Sequence, residues 1–119
     1  MSVNTFADEL RARSDEAIAA IFQQRPDLLS PVPTDFSAFS ARANSTPSLL
    51  RALESLNKFQ LEVLTAACVL TEPFSKSELI AVTTPEAQEV LIELLAAALV
   101  YKDGTKFRAP TNLKQLIGD

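Results

Sequence analysis

The sequence predicts a mainly helical, all-α protein with one small β-hairpin: an N-terminal helical lobe followed by a winged helix-turn-helix. Three observations predict it. Helix start signals recur along the chain, at Thr5, Ser14, Thr34, Thr46-Pro47, Asn57, Ser75 and Thr84-Pro85. Ala87, Val90, Leu91, Leu94, Leu95 and Ala98 follow the i, i+3, i+4, i+7 spacing of an amphipathic helix. Directly afterwards the period changes from helical to alternating around Asp103-Gly104.

In chain order, Thr5 opens a first helix with Phe6 and Leu10 one turn apart, and Ser14 opens a second with Asp15 and Glu16 in its first turn, where the helix dipole favours them. Ile18, Ile21 and Phe22 share a stripe of that second helix, and Pro26 ends it, opening a short turn through Leu29. Pro31 and Pro33 make a stiff connector. A short helix holding Phe36 and Phe39 follows, capped by Thr34 and broken between Asn44 and Thr46. Thr46-Pro47 then starts a helix carrying Leu49, Leu50, Leu53 and Leu56.

The second half reads as three helices closed by a hairpin. Asn57 caps a helix from Lys58 to Leu70, Ser75 caps a short one ending near Val82, and Thr84-Pro85 starts the third. The strands Val100–Lys102 and Thr105–Arg108 flank an Asp103-Gly104 turn, whose favoured form needs positive φ at both central positions. The expected organisation is therefore residues 1–56 as the helical lobe, 57–110 as the winged-helix-like domain, and 111–119 as a short helix from Asn112 to Ile117 or a linker to a further segment.

Composition narrows the function. Hydrophobic residues at 47% and charged residues at 22% are those of a folded domain rather than a disordered one. The chain has one cysteine, no histidine and two glycines. That inventory removes histidine-based nucleophilic catalysis, a structural zinc site, and the glycine-rich loops that cradle phosphates. No catalytic residue, cofactor or metal is expected, and the chain is not read as an enzyme. Cys68, in an apolar run, is expected as a small buried hydrophobe. A lone thiol, the absence of a signal peptide and the absence of a membrane span point to the cytoplasm.

For nucleic acid the signs conflict. The third helix of a helix-turn-helix normally offers cationic or amide side chains to base edges. Here it presents Glu86, Gln88, Glu89 and Glu93, with no lysine or arginine between Pro85 and Leu99, and the net charge of the chain is −4. Three carboxylates repel phosphates, so Glu86, Glu89 and Glu93 read as a partner-docking helix. Lys102, Lys106 and Arg108 form a modest basic wing, the residues expected to make any weak DNA contact. Arg11, Arg13, Arg25, Arg42 and Arg51 are spread over several helices beside acidic residues, and solvated positions are expected for them. The partner classes left open are DNA, a protein partner or further segment of a longer chain, and a second copy in a homodimer.

The runs Leu10-Arg11-Ala12-Arg13-Ser14-Asp15-Glu16-Ala17, Arg25-Pro26-Asp27-Leu28 and Ser48-Leu49-Leu50-Arg51-Ala52-Leu53 resemble the N-terminal region of a family of actinobacterial helicase-associated proteins related to the XPB-type DNA-repair helicase. The resemblance implies a non-catalytic accessory module of a longer, DNA-linked cytoplasmic protein. It carries no catalytic residue onto this chain. The leading expectation is thus such a module with weak DNA contact through the wing, and its rival is a protein-interaction or dimerisation domain that leaves DNA untouched.

Overall fold

A computed structural model describes residues 5–118. Among them are eight α-helices and one two-stranded antiparallel hairpin. The helices are α1 (Phe6–Ala12), α2 (Asp15–Gln24), α3 (Phe36–Ala43), α4 (Thr46–Glu54), α5 (Lys58–Val69), α6 (Lys76–Val82), α7 (Ala87–Ala96) and α8 (Thr111–Gly118), with a 3₁₀ turn at Pro26–Leu29. The strands are β1 (Tyr101–Asp103) and β2 (Lys106–Arg108). No described helix is long and apolar enough to cross a membrane.

Local chemistry accounts for most starts. Thr5 and Ser14 accept the backbone N–H three residues on, at 3.0 and 3.1 Å. α5 and α6 carry complete capping boxes, Asn57 with Gln60 and Ser75 with Glu78, which satisfy two orphan donors apiece. Three starts differ from expectation. Asp35, not Thr34, caps α3, since its carboxylate accepts from Ala38 N–H at 2.7 Å and also suits the positive helix end. Ser45, not Thr46, precedes α4, and its hydroxyl donates back to the Arg42 carbonyl. α7 begins at Ala87 rather than Pro85, because Thr84–Glu89 first wind a tighter turn of i to i+3 bonds.

The hairpin register pairs Tyr101 with Arg108, Lys102 with Phe107 and Asp103 with Lys106. Its two-residue loop is therefore Gly104-Thr105, one residue later than the expected Asp103-Gly104. The Asp103 carboxylate holds the Arg108 guanidinium at 2.6 Å across the strands, which keeps Asp103 in β1. Only Gly104 takes positive φ (65°) in this loop, the pattern of a hairpin turn with glycine at its first central position.

Two apolar clusters form the core. The larger gathers Leu49 and Ala52 of α4 with Leu64 and Ala67 of α5, Leu79 of α6, Leu91 and Leu94 of α7, and Leu113 of α8. So α4, on the N-terminal side of residue 56, packs with the helices that follow it, against α8 in particular. The smaller cluster joins Leu10, Ile21, Leu28, Phe39 and Ala43 to Ala98. Ala98 does not continue α7. It takes φ 59°, while its N–H donates to Leu95 O and that of Leu99 to Leu94 O, a Schellman end with alanine where glycine is usual.

Polar bonds tie the first helices to α7 and the hairpin. Glu9 is buried, pairs with Arg13 at 2.6 Å and accepts the Lys102 backbone N–H at 2.7 Å. Arg13 also donates to the Leu95 carbonyl at 2.8 Å. The expectation of solvated arginines fails most clearly at Arg25, which is 2% exposed. Its guanidinium donates to Ala43 O (2.6 Å), Ser48 Oγ (2.9 Å) and Ala97 O (3.2 Å), bringing the ends of α3 and α7 and the first turn of α4 to one point. Arg42, half-buried, donates to the carbonyls of Leu28 and Pro31.

Candidate docking site beside the third helix of the second half

α7 has three distinct sides. Ala87, Val90, Leu91 and Leu94 are buried in the larger cluster. Glu86, Glu89 and Glu93 form an exposed stripe at i, i+3 and i+7. Between them lie Gln88, Ile92, Leu95 and Ala96, and Ile92 is 68% exposed although strongly apolar.

Ile92, Leu95 and Ala96 of that third side line a groove of about 580 Å³, completed by Ala12 at the end of α1 and by Ala17 and Ala20 of α2. Asp8, Glu9, Arg13, Lys102 and Gly104 supply its polar border. Most of those polar groups are already engaged. Asp8 pairs with Arg11 at 3.2 Å, and Glu9 is shared between Arg13 and the Lys102 N–H. The Glu86, Glu89 and Glu93 carboxylates enter no ion pair among the described residues, and Glu93 only accepts from the Gln60 amide at 3.1 Å.

The wing residues do not come together as one basic surface. In the hairpin register Lys106 and Arg108 project from one face and Lys102, opposite Phe107, from the other. Arg108 is held by Asp103 at 2.6 Å and lies 3.8 Å from Glu72, so its charge is largely neutralised locally. That contact with Asp103 raises the Arg108 pKa. Lys102 and Lys106 are exposed. Both outer edges of the hairpin are occupied. Glu9 takes the Lys102 N–H on the β1 side, and Phe74 exchanges two backbone bonds with Phe107 on the β2 side, at 2.8 and 3.0 Å.

A second cleft, about 280 Å³, is lined by Arg25, Asp27, Arg51 and Ser55. Two arginines invite the idea of an anion site. Arg25 and Ser55 are, however, the C-terminal caps of α2 and α4, and the carbonyl ends of helices disfavour an anion. The buried guanidinium also has its two terminal nitrogens committed to protein acceptors, with only Nε unpartnered. Burial lowers the pKa of Arg25 to about 10, against the attraction of Asp27. Cys68 is buried, and burial pushes its thiol up to about 11, which disfavours a reactive thiolate. No group of three or more metal-ligating side chains occurs among the described residues.

Comparison with protein families, with curated proteins and with solved structures finds no match to this chain. The site therefore rests on its geometry. Of the residues that line it, sequence reasoning singled out Lys102 as a contact residue and missed the apolar floor; Glu86, Glu89 and Glu93 lie on the neighbouring stripe of α7, outside the groove, with Glu93 lining a separate cleft beside Gln60. Ile92 carried a signal: it is a large apolar residue off the buried stripe, between Leu91 and Glu93. Ala12, Ala17 and Ala20 carried none, since only the packing of α2 on α7 brings them there.

Proposed function

We propose that this chain is a non-catalytic protein-docking module, a winged-helix body of α5, α6, α7 and the hairpin braced by the N-terminal helices, which receives a protein partner in the groove beside α7. The observation that carries this reading is the exposed Ile92 in an alanine-lined groove, with Glu89 and Glu93, in no ion pair among the described residues, on the adjoining stripe of α7 outside the groove. An exposed apolar surface rimmed by polar residues is what protein interfaces look like before they close. The rival, an accessory module of a helicase-associated protein that touches DNA through its wing, draws on Lys102 and Lys106 alone. The acidic stripe of α7 opposes it, and so does the helix α2 packed against α7. A helix about 10–12 Å across fills a major groove about 12 Å wide, leaving no room for a flanking helix.

A photo-crosslinking residue at Ile92 tests this against the same residue at Gln115, exposed on α8. Protein adducts from position 92 and none from 115 are expected. In parallel, a fluorescent duplex at low salt should show no binding. Binding that weakens with salt and is lost when Lys102, Lys106 and Arg108 are all changed to alanine would move the function to DNA.

A further inference from the structure

We infer that the occupant of the groove is a basic amphipathic α-helix, supplied by a partner protein. This rests on the docking reading above and names its ligand. Three observations select that chemistry.

The first is the free charge. Glu86, Glu89 and Glu93 stand one turn apart, a spacing at which like charges repel within a helix. No described cation is paired with them. A partner carrying lysine or arginine beside its apolar face relieves that repulsion, whereas a second copy of this chain, also at −4, adds to it. The second is the state of the hairpin. Its outer edges are taken by Glu9 and Phe74, so an extended peptide has no free edge on which to add a strand. The third is the floor. Ile92, Leu95 and Ala96 on α7, with the alanines of α1 and α2, offer apolar contact, while Arg13 and Glu9 are spent on each other and on Leu95 O and Lys102 N–H. A small polar ligand finds few convergent groups to orient it, but a helix needs only apolar anchors at i, i+3, i+4 and i+7. Lys102, exposed on the border near the turn, suits the carbonyl end of such a helix.

The probe is a fluorescein-labelled leucine/lysine peptide about four turns long, its leucines at helical spacing. Two comparison peptides accompany it, a scrambled sequence of the same composition and a leucine/glutamate analogue. The leucine/lysine peptide should bind the intact protein, with both comparison peptides at least about ten-fold weaker. Ile92→Asp should weaken binding by about thirty-fold or more, the loss expected at a central apolar anchor. Because Ile92 is exposed, that change leaves the fold intact, which circular dichroism verifies. Glu89→Gln with Glu93→Gln should weaken binding about five-fold, the effect of two exposed charge pairs. The same pair of changes at Glu54 and Glu62, exposed on α4 and α5, should leave it unaltered.

Equal binding of the scrambled peptide, or indifference to Ile92→Asp, would overturn the inference, as would tighter binding of the glutamate analogue. So would a dimer in sedimentation equilibrium that Ile92→Asp disperses, since the occupant would then be a second copy. Protein adducts at position 92 with no peptide response would retain the docking reading and remove the basic helix. Absence of both would remove the two together.

Discussion

Arg25 is the side chain whose removal should cost this fold most. Its guanidinium is buried and has no carboxylate bonded to it, only the carbonyls of Ala43 and Ala97 and the hydroxyl of Ser48. Two opposing terms set the outcome. Burial lowers its pKa to about 10, which corresponds to roughly 3 kcal/mol against the charged form. Against that, hydrogen bonds from a charged donor contribute about 1.5–3 kcal/mol each, and two of the acceptors lie at the negative ends of helices. Three such bonds outweigh the burial cost. In Arg25→Ala the burial cost disappears, but three buried acceptors lose their donor and a cavity opens. A net loss of about 4 kcal/mol is expected, a large share of the roughly 5–15 kcal/mol that holds a domain folded. Arg25→Met fills most of the volume and should lose about half as much. Urea titration followed by circular dichroism measures both. A coupling of about 1 kcal/mol between Arg25→Met and Ser48→Ala would tie the effect to that bond. If Arg25→Met were as stable as the parent, the bonds would not repay the burial and the reasoning would be wrong.

Three further outcomes follow from the buried Glu9 and from the capping box of α6. Glu9→Gln keeps the shape but weakens the bonds to Arg13 and Lys102 N–H, so a loss of about 2 kcal/mol is expected, with faster amide exchange at Lys102 than elsewhere in the hairpin. Ser75→Ala removes half of a capping box and should lower stability by about 1 kcal/mol. The Ser75 backbone N–H, and then its hydroxyl, hold the Glu78 carboxyl below its ordinary 4.5, so Glu78 contributes stability above the unfolded-state pKa that is lost as pH falls through the folded one. Glu78→Gln should therefore flatten the acid limb of the stability curve, and an unchanged limb would remove Glu78 from it.

What was legible in the sequence was local. A cap and the backbone N–H it accepts from lie three residues apart, so Ser14, Asn57 and Ser75 announce their helices without reference to the rest of the chain. The order of α5, α6, α7 and hairpin was legible for the same reason, as a change of apolar period at one point. What was not legible depended on distant partners. Arg25 finds its acceptors 18, 23 and 72 residues along the chain, and Glu9 finds Lys102 at a separation of 93. With no partner in view, a charged residue reads as solvated, because that is where most of them lie. In the wing the limit of legibility came at closer range. Asp103, five residues before Arg108, was in view as a turn residue, but only the register brings its carboxylate to the guanidinium.

The same long-range bonds decide how α7 is used. One side of it belongs to the larger cluster, and its C-terminal end is fixed by the other half of the protein. Arg13 takes Leu95 O, Arg25 takes Ala97 O, and Ala98 turns into the smaller cluster. Alanine in a left-handed conformation costs about 1 kcal/mol that glycine would avoid, yet the Ala98 methyl is fully buried and returns a comparable amount. The helix end is thus chosen by packing against the N-terminal helices rather than by a local stop signal. A recognition helix that enters DNA must stand proud of its neighbours, and α7 is instead gripped by them along one side and at one end. Left exposed are the glutamate stripe and the side that bears Gln88 and Ile92. Ile92, Leu95 and Ala96 make α7 one wall of a groove, and on the reading proposed above that wall, with the acidic stripe beside it, would hold another helix rather than enter DNA.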